Sequence, residues 1–224
     1  MDKLTLLQKL VTSPVSLKLT FRLSEGLNRL TRRATARRRE RNRAAVAAYT
    51  GFGPINGQRR APVAALPYGR YTMDYNGCEV LAAYNALLTL GEAAPLPEVS
   101  AWFERRGLFL GGAWGTHVLA LPEFFKARGF IVETLYKDFD AAFAAVPAAV
   151  FSFWNDAHRL RRGLHTVALA HAPGGRLAVY NLHGTDRDAN REYHSIAEFY
   201  GRTGVLPVLL AAIHAKGKEN HEYS

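Results

Sequence analysis

The sequence predicts an α+β fold in which a helical half faces an antiparallel sheet. Three observations predict it: helical patterns cluster ahead of strand patterns, the strands are short apolar runs, and two of them read as a hairpin. The chain has 224 residues, 48% apolar and 11% aromatic, enough for one sizeable core and short of two comfortable ones. No stretch approaches the roughly 18 to 20 uninterrupted apolar residues of a membrane-spanning helix. The opening MDKLTLLQKLVTSPVSLKLTF is broken every one to three positions by Lys, Gln, Thr or Ser, so no signal-peptide core forms.

Taken in order, Leu4, Leu7, Leu10 and Val11 have the spacing of a short amphipathic helix. VSLKLTFRL, residues 15–23, alternates apolar and polar residues as a half-buried strand does. Residues 24–49 are rich in Ala and Arg and predict a basic helix. Residues 51–69, loaded with Gly and Pro, predict a linker or extended wrap. The chain therefore divides into a basic arm and linker, 1–69, and a body, 70–224. In the body, helices are expected at 78–90, 97–106 and 116–128, the first two stopped by Gly91 and Gly107 and the third delayed or kinked by Pro122. Trp102, Phe103, Phe124 and Phe125 fall on these helices at core spacing. Strands are expected at 130–135, 148–154, 165–172, 176–183 and 205–213.

The net charge of +10 is unevenly spread. Of 29 Lys and Arg and 19 Asp and Glu, residues 1–60 hold 14 and three, which leaves the rest near neutral with 15 and 16. The basicity belongs to the arm. Arg32, Arg33, Arg37, Arg38, Arg39, Arg41 and Arg43 suit an anionic partner, either a nucleic-acid backbone or a membrane surface. No aromatic residues are interleaved there to stack on bases.

Cys78 is the only cysteine, which excludes an internal disulfide or a multi-cysteine metal site and fits a reducing, cytoplasmic setting. The five histidines between 158 and 194 lack metal-ligand spacing, and no cofactor is expected. In DYNGCEVLAAYNALL the thiol sits where a Gly-containing turn gives way to a helix. A cysteine in the first helical turn faces unsatisfied N–H groups and the positive end of the dipole, both of which favour the nucleophilic thiolate. Gly77 lets the chain turn tightly and leaves amide donors beside the sulfur for an oxyanion. Taken alone, Cys78 reads more simply as a buried small hydrophobe.

The runs HTVALAHA and RLAVYNLH flank the turn Pro173–Gly175. If Ala172 pairs with Arg176, paired residues sum to 348. Val167 then opposes Asn181, and His165 opposes His183, with His165 and Asn181 diagonal on one face, about 7 to 8 Å apart. The thiol chemistry needs an amide or carboxylate to hold one ring nitrogen while the other faces sulfur. His183 is the alternative partner, and His171 reads as a surface residue at the hairpin end.

A cysteine opening a long helix, a histidine opening a strand 87 residues on and an asparagine 16 residues later resemble the papain-like cysteine peptidase superfamily. The nearest likeness is to the double-glycine-cleaving bacteriocin-leader peptidases and their stand-alone bacterial relatives. It is carried by DYNGCEVLAAYNALL, GGAWGTHVLALPEFFKARGF, PAAVFSFWN and GLHTVALAHAPGGRLAVYN. The resemblance implies a papain-like fold, a peptide or amide substrate and acyl-enzyme hydrolysis. It makes Cys78 the nucleophile, His165 the general base and Asn181 the group orienting it. Two positions depart from the pattern. Thr72 stands where a glutamine usually donates to the oxyanion, which leaves Asn76 as the nearest amide donor. Asn181 stands where the leader peptidases generally have aspartate. Trp114, in the Gly-rich GGAWGT, is the candidate for lining a substrate cleft. The same triad suits an acyltransferase, and a catalytically silent scaffold delivered by the basic arm is the third expectation.

Overall fold

The computed structural model describes residues 3–51, 53–93, 95–182 and 191–216. Helices α1 (Lys3–Thr12), α2 (Pro14–Thr31) and α3 (Ala36–Ala47) lead through a small ribbon, β1 (Pro67–Tyr68) and β2 (Tyr71–Thr72), to the short helix α4 (Met73–Asn76). Then come α5 (Cys78–Thr89), α6 (Leu96–Arg106), α7 (Ala120–Lys126), β3 (Phe130–Leu135), α8 (Phe139–Ala144), β4 (Ala148–Trp154), β5 (Leu164–Ala172) and β6 (Arg176–Tyr180). β7 (Arg191–Tyr193), α9 (Ile196–Thr203) and β8 (Leu206–Lys216) complete the described chain. Strands β3, β8, β4, β5, β6 and β7 form, in that order, a six-stranded antiparallel sheet. Among the described residues no helix is long and apolar enough to cross a membrane.

Both faces of the sheet are covered, which is why β4 reads as the nearly unbroken apolar run AAVFSFW rather than as an alternation. One face is small: Val150, Ala168 and Ala211 meet Val80, Leu81, Ala82, Ala83, Ala86 and Leu87 of α5 in a single core. The other face is bulky, with Phe151, Phe153, Val167, Leu169 and Leu210 packed under Phe139 and Phe143 of α8 and Phe199 of α9. The sheet is thus sandwiched between helices, an α+β arrangement, and the small residues let α5 lie close against it. The α6 and α7 aromatics fill the core beyond α5: Phe103 stacks on Phe124 at 5.0 Å and Trp102 meets Phe124 edge-on at 5.2 Å. Pro122 lies in the first turn of α7, where its missing N–H costs no hydrogen bond.

The hairpin register is the expected one, with Ala172 opposite Arg176 and Ala168 opposite Tyr180. β6 ends at Tyr180 because Asn181 turns into the left-handed region, φ 62°. His183 lies outside the described residues.

Residues 15–23 are helical, not a strand. The alternation is real, but it arises from two apolar faces of one helix. Leu17 and Phe21, a turn apart, pack over Val118, Leu119, Val208 and Leu209, whereas Val15, Leu19 and Leu23 are exposed. Ser24 Oγ and Asn28 Nδ2 extend the inward face by donating to the Leu108 carbonyl at 3.1 and 2.8 Å. The arm therefore packs on the body, and Val46, Ile55 and Val63 join the same core as α5.

His117 fastens α2 to the body. The Leu119 N–H donates to its Nδ1 at 3.2 Å, so Nε2 carries the proton and donates to Thr20 Oγ1 at 2.9 Å. Burial pushes this imidazole down to about 4 from an ordinary 6.5. The unfolded chain then binds the proton first, so the stabilisation is complete above pH 6.5 and is lost as pH falls towards 4. We expect His117→Gln to flatten the acid side of the stability curve by an amount on the order of 3 kcal/mol, measured by urea unfolding across that window. An unchanged slope contradicts the assignment.

Candidate functional site

The site is built where α4 breaks into α5. The Gly77 N–H closes α4 on the Met73 carbonyl at 2.8 Å, and the Gly77 carbonyl accepts from Leu81 N–H at 2.9 Å, opening α5. Gly77 has φ −83°, open to any residue. Glycine is needed there for space instead, because a Cβ would stand 2.5 Å from the Met73 carbonyl oxygen and 2.8 Å from its sulfur. The break places Cys78 as the first residue of α5, buried at 6% exposure.

The expected thiolate is not what this setting favours at rest. The thiol donates to Glu79 Oε2 at 3.1 Å. Burial first, and then the Glu79 carboxylate, push the thiol well above its ordinary range, against the opposing hydrogen bonds from the main chain of Thr166 and Glu79. The helix terminus is outweighed because the sulfur is buried and hydrogen-bonds an acid. Glu79 is itself fully buried and pushed up to about 7 by desolvation, although bonds from Cys78, its own N–H and the Thr166 side chain oppose the shift. Sequence reasoning passed over Glu79. Its signal was there, as the one charge in the otherwise uncharged run CEVLAAYNALL, since an ionisable group in a buried helix is costly without a function or a partner.

On β5, Thr166 is the residue turned to α5: its hydroxyl lies 2.9 Å from Ser152 Oγ, and its side chain bonds Glu79. His165, one residue earlier and 8% exposed, lies edge-on to Phe153 at 5.7 Å. Its Nε2 is 2.7 Å from the main-chain carbonyl oxygen of Asn181. A carbonyl only accepts, so Nε2 carries the proton and Nδ1 is left as the basic nitrogen. Asn181 thus holds the ring through its backbone and not through its amide. Its left-handed backbone aims that carbonyl, while its side chain pairs with Gln58: Oδ1 accepts from the Gln58 N–H at 3.0 Å and Nδ2 donates to Gln58 Oε1 at 3.1 Å. The Asn181 N–H in turn donates to Asn56 Oδ1 at 2.8 Å.

Cys78, Glu79, His165, Asn76, Trp114 and Gln58 line one cleft of about 540 Å³. Trp114 is 75% exposed at its rim. Asn76 has one amide hydrogen committed, donating to the Gly112 carbonyl at 2.7 Å, so it also ties the Gly-rich loop to the nucleophile turn. Gln58, buried and donating through Nε2 to the Asp74 carbonyl at 3.0 Å, was invisible in the sequence, lying in the Gly/Pro-rich linker 20 residues before the cysteine. Among the described residues no three His, Cys, Asp or Glu side chains gather as a metal site requires. His171 caps the hairpin end, stacked on Phe143 at 4.4 Å with Nε2 2.8 Å from the Val146 carbonyl oxygen. No protein-family model and no curated protein matches the chain.

Gly77→Ala is expected to lower Tm by at least ~4 °C, because the new methyl group meets main-chain atoms that have no room to yield. A thermal melt at wild-type Tm overturns the close-approach explanation of this glycine.

Proposed function

We propose that the chain is a papain-like cysteine hydrolase acting on a peptide or amide bond, with Cys78, His165 and Asn181 as its working residues. The observation that carries this reading is the shared cleft. The only thiol of the chain, at the start of a buried helix, lines the same cavity as His165, whose Nε2 proton is committed to the Asn181 carbonyl. In this tautomer the basic nitrogen of the ring is Nδ1, the atom to which a thiol proton would go.

At rest the thiol proton is shared with Glu79. For catalysis Sγ turns from Glu79 towards Nδ1 of His165 and gives up its proton there. It then attacks the substrate carbonyl, and the imidazolium returns the proton to the leaving amine. Water, deprotonated by the same ring, releases the acyl group. The developing oxyanion has three sources of N–H donors at hand: the first turn of α5, the second amide hydrogen of Asn76 and the second Nε2 hydrogen of Gln58. The role the resemblance gives to the Asn181 side chain passes to its carbonyl, which any residue able to hold φ near +60° supplies. Trp114 at the rim narrows the cleft and suits a substrate with small residues at the scissile bond. A lone free thiol suits a reducing compartment such as the cytoplasm.

The test is mass-spectrometric cleavage of peptides with small residues, Gly-Gly included, by the full chain. Cys78→Ala and His165→Ala are expected to lose about 10²-fold or more in rate, whereas Asn181→Gly, which keeps both carbonyl and backbone conformation, stays within ~10-fold of wild type. Cleavage surviving in Cys78→Ala contradicts the proposal, as does a wild type that neither cleaves nor forms an acyl adduct. If an added amine captures the acyl group ahead of water, the acyltransferase with the same triad is the better description.

A further inference from the structure

Among the described residues nothing covers the second apolar face of α2. Val15, Leu19, Leu23, Leu27 and Leu30 form one stripe at near four-residue intervals, with exposures of 76, 60, 58, 41 and 83%. On a helix of 3.6 residues per turn this stripe lies roughly opposite Leu17, Phe21, Ser24 and Asn28, which anchor the helix to the body. Leu6, Leu7 and Leu10 of α1 are exposed as well, while Gln8 docks α1 by donating to the Ala157 carbonyl at 2.6 Å. Eight large aliphatic side chains in one segment exceed the scattered exposure of an ordinary surface.

Beside the stripe runs a row of exposed cations on α2, Lys18, Arg22 and Arg29, continued past its end by Arg32 and Arg33. Glu25 is the one acid on the helix. We propose that α1 and α2 lie in the plane of an anionic lipid bilayer, with the leucine stripe among the acyl chains and the cations on the headgroups. Apolar residues flanked by Lys and Arg on a helix too polar to cross the bilayer are what such binding requires. A nucleic-acid backbone would use the cations and leave eight aliphatic side chains in water. A second copy of the chain, paired stripe to stripe, would bring two arms of about +11 charge together, counted over residues 1–60. The bilayer satisfies both halves of the surface at once. Leu17, on the opposite side of α2, is part of the cleft wall, so docking sets the cleft beside the membrane surface. This inference stands apart from the hydrolase reading, and its test reads no catalysis.

The experiment is flotation of the full chain with vesicles of phosphatidylcholine alone and of phosphatidylcholine with one-third phosphatidylglycerol. Wild type is expected to float with the anionic vesicles and to bind the neutral ones at least ~10-fold more weakly. The variant Leu19→Ser/Leu23→Ser/Leu30→Ser changes only exposed positions. It is expected to keep the wild-type circular dichroism and to lose ~100-fold in partitioning. Lys18→Gln/Arg22→Gln/Arg29→Gln should lose the preference for anionic lipid and retain weak binding to both. Absence of flotation with anionic vesicles overturns the proposal, as does undiminished binding by the folded serine variant. A wild-type dimer in light scattering that the serine variant dissolves to monomer overturns it too, and assigns the stripe to a second copy.

Discussion

The close seat of α5 on the small-residue face of the sheet constrains everything built around it. Val150, Ala168 and Ala211 leave no bulk between the layers, and the α4–α5 break has no room for a Cβ at Gly77. The first turn of α5 is therefore pressed against β5, where the Cys78 sulfur reaches the main chain of Thr166 and the Glu79 carboxyl its side chain. Both groups are buried there, and desolvation is the largest influence on each. The carboxyl that titrates at about 7 favours folding fully below its unfolded value of 4.5 and loses that contribution as pH rises through 7. This runs opposite to His117, so the two buried groups pull the stability curve from its two sides.

The basic arm is tied into the architecture at several points. Asn42 Nδ2 donates to Glu104 Oε1 at 2.6 Å and to the Gly69 carbonyl at 3.0 Å, and the same Oε1 accepts from the Gly69 N–H at 2.6 Å. Asn56 and Gln58 then fix Asn181, and Asn181 fixes His165. Separately from the Asn42 cluster, the ring that the proposed chemistry depends on is thus oriented by a relay starting in the linker, at Asn56 and Gln58. Its members, Asn56, Gln58 and Asn181, are neutral amides whose energetic weight lies in leaving no buried polar group unpaired.

Much of this was legible in the sequence where one local rule decided the outcome. Five of the six sheet strands, the Cys78 helix and the register summing to 348 follow from alternation or unbroken apolar runs, glycine stops and a three-residue turn, whereas the three-residue β7 carries no such pattern. What failed did so where two influences compete over long range. Residues 15–23 alternate because α2 has two apolar faces, and period 2 cannot distinguish that from a strand. The helix N-terminus argues for a thiolate at Cys78, but burial and the neighbouring Glu79 argue more strongly the other way, and burial is not written in local sequence. Gln58 reaches the site only through the path of a linker with no periodicity, and the orienting role of Asn181 moves to its carbonyl because β6 ends one residue earlier in a left-handed turn.

The pH profile of Cys78 alkylation by iodoacetamide, followed by intact mass, tests the central claim most directly, since the chain has one thiol. The account predicts a midpoint above the ordinary cysteine value of about 8.5, moved downward in Glu79→Gln when the neighbouring charge is removed. A midpoint at or below neutral pH, or one indifferent to Glu79, would contradict it.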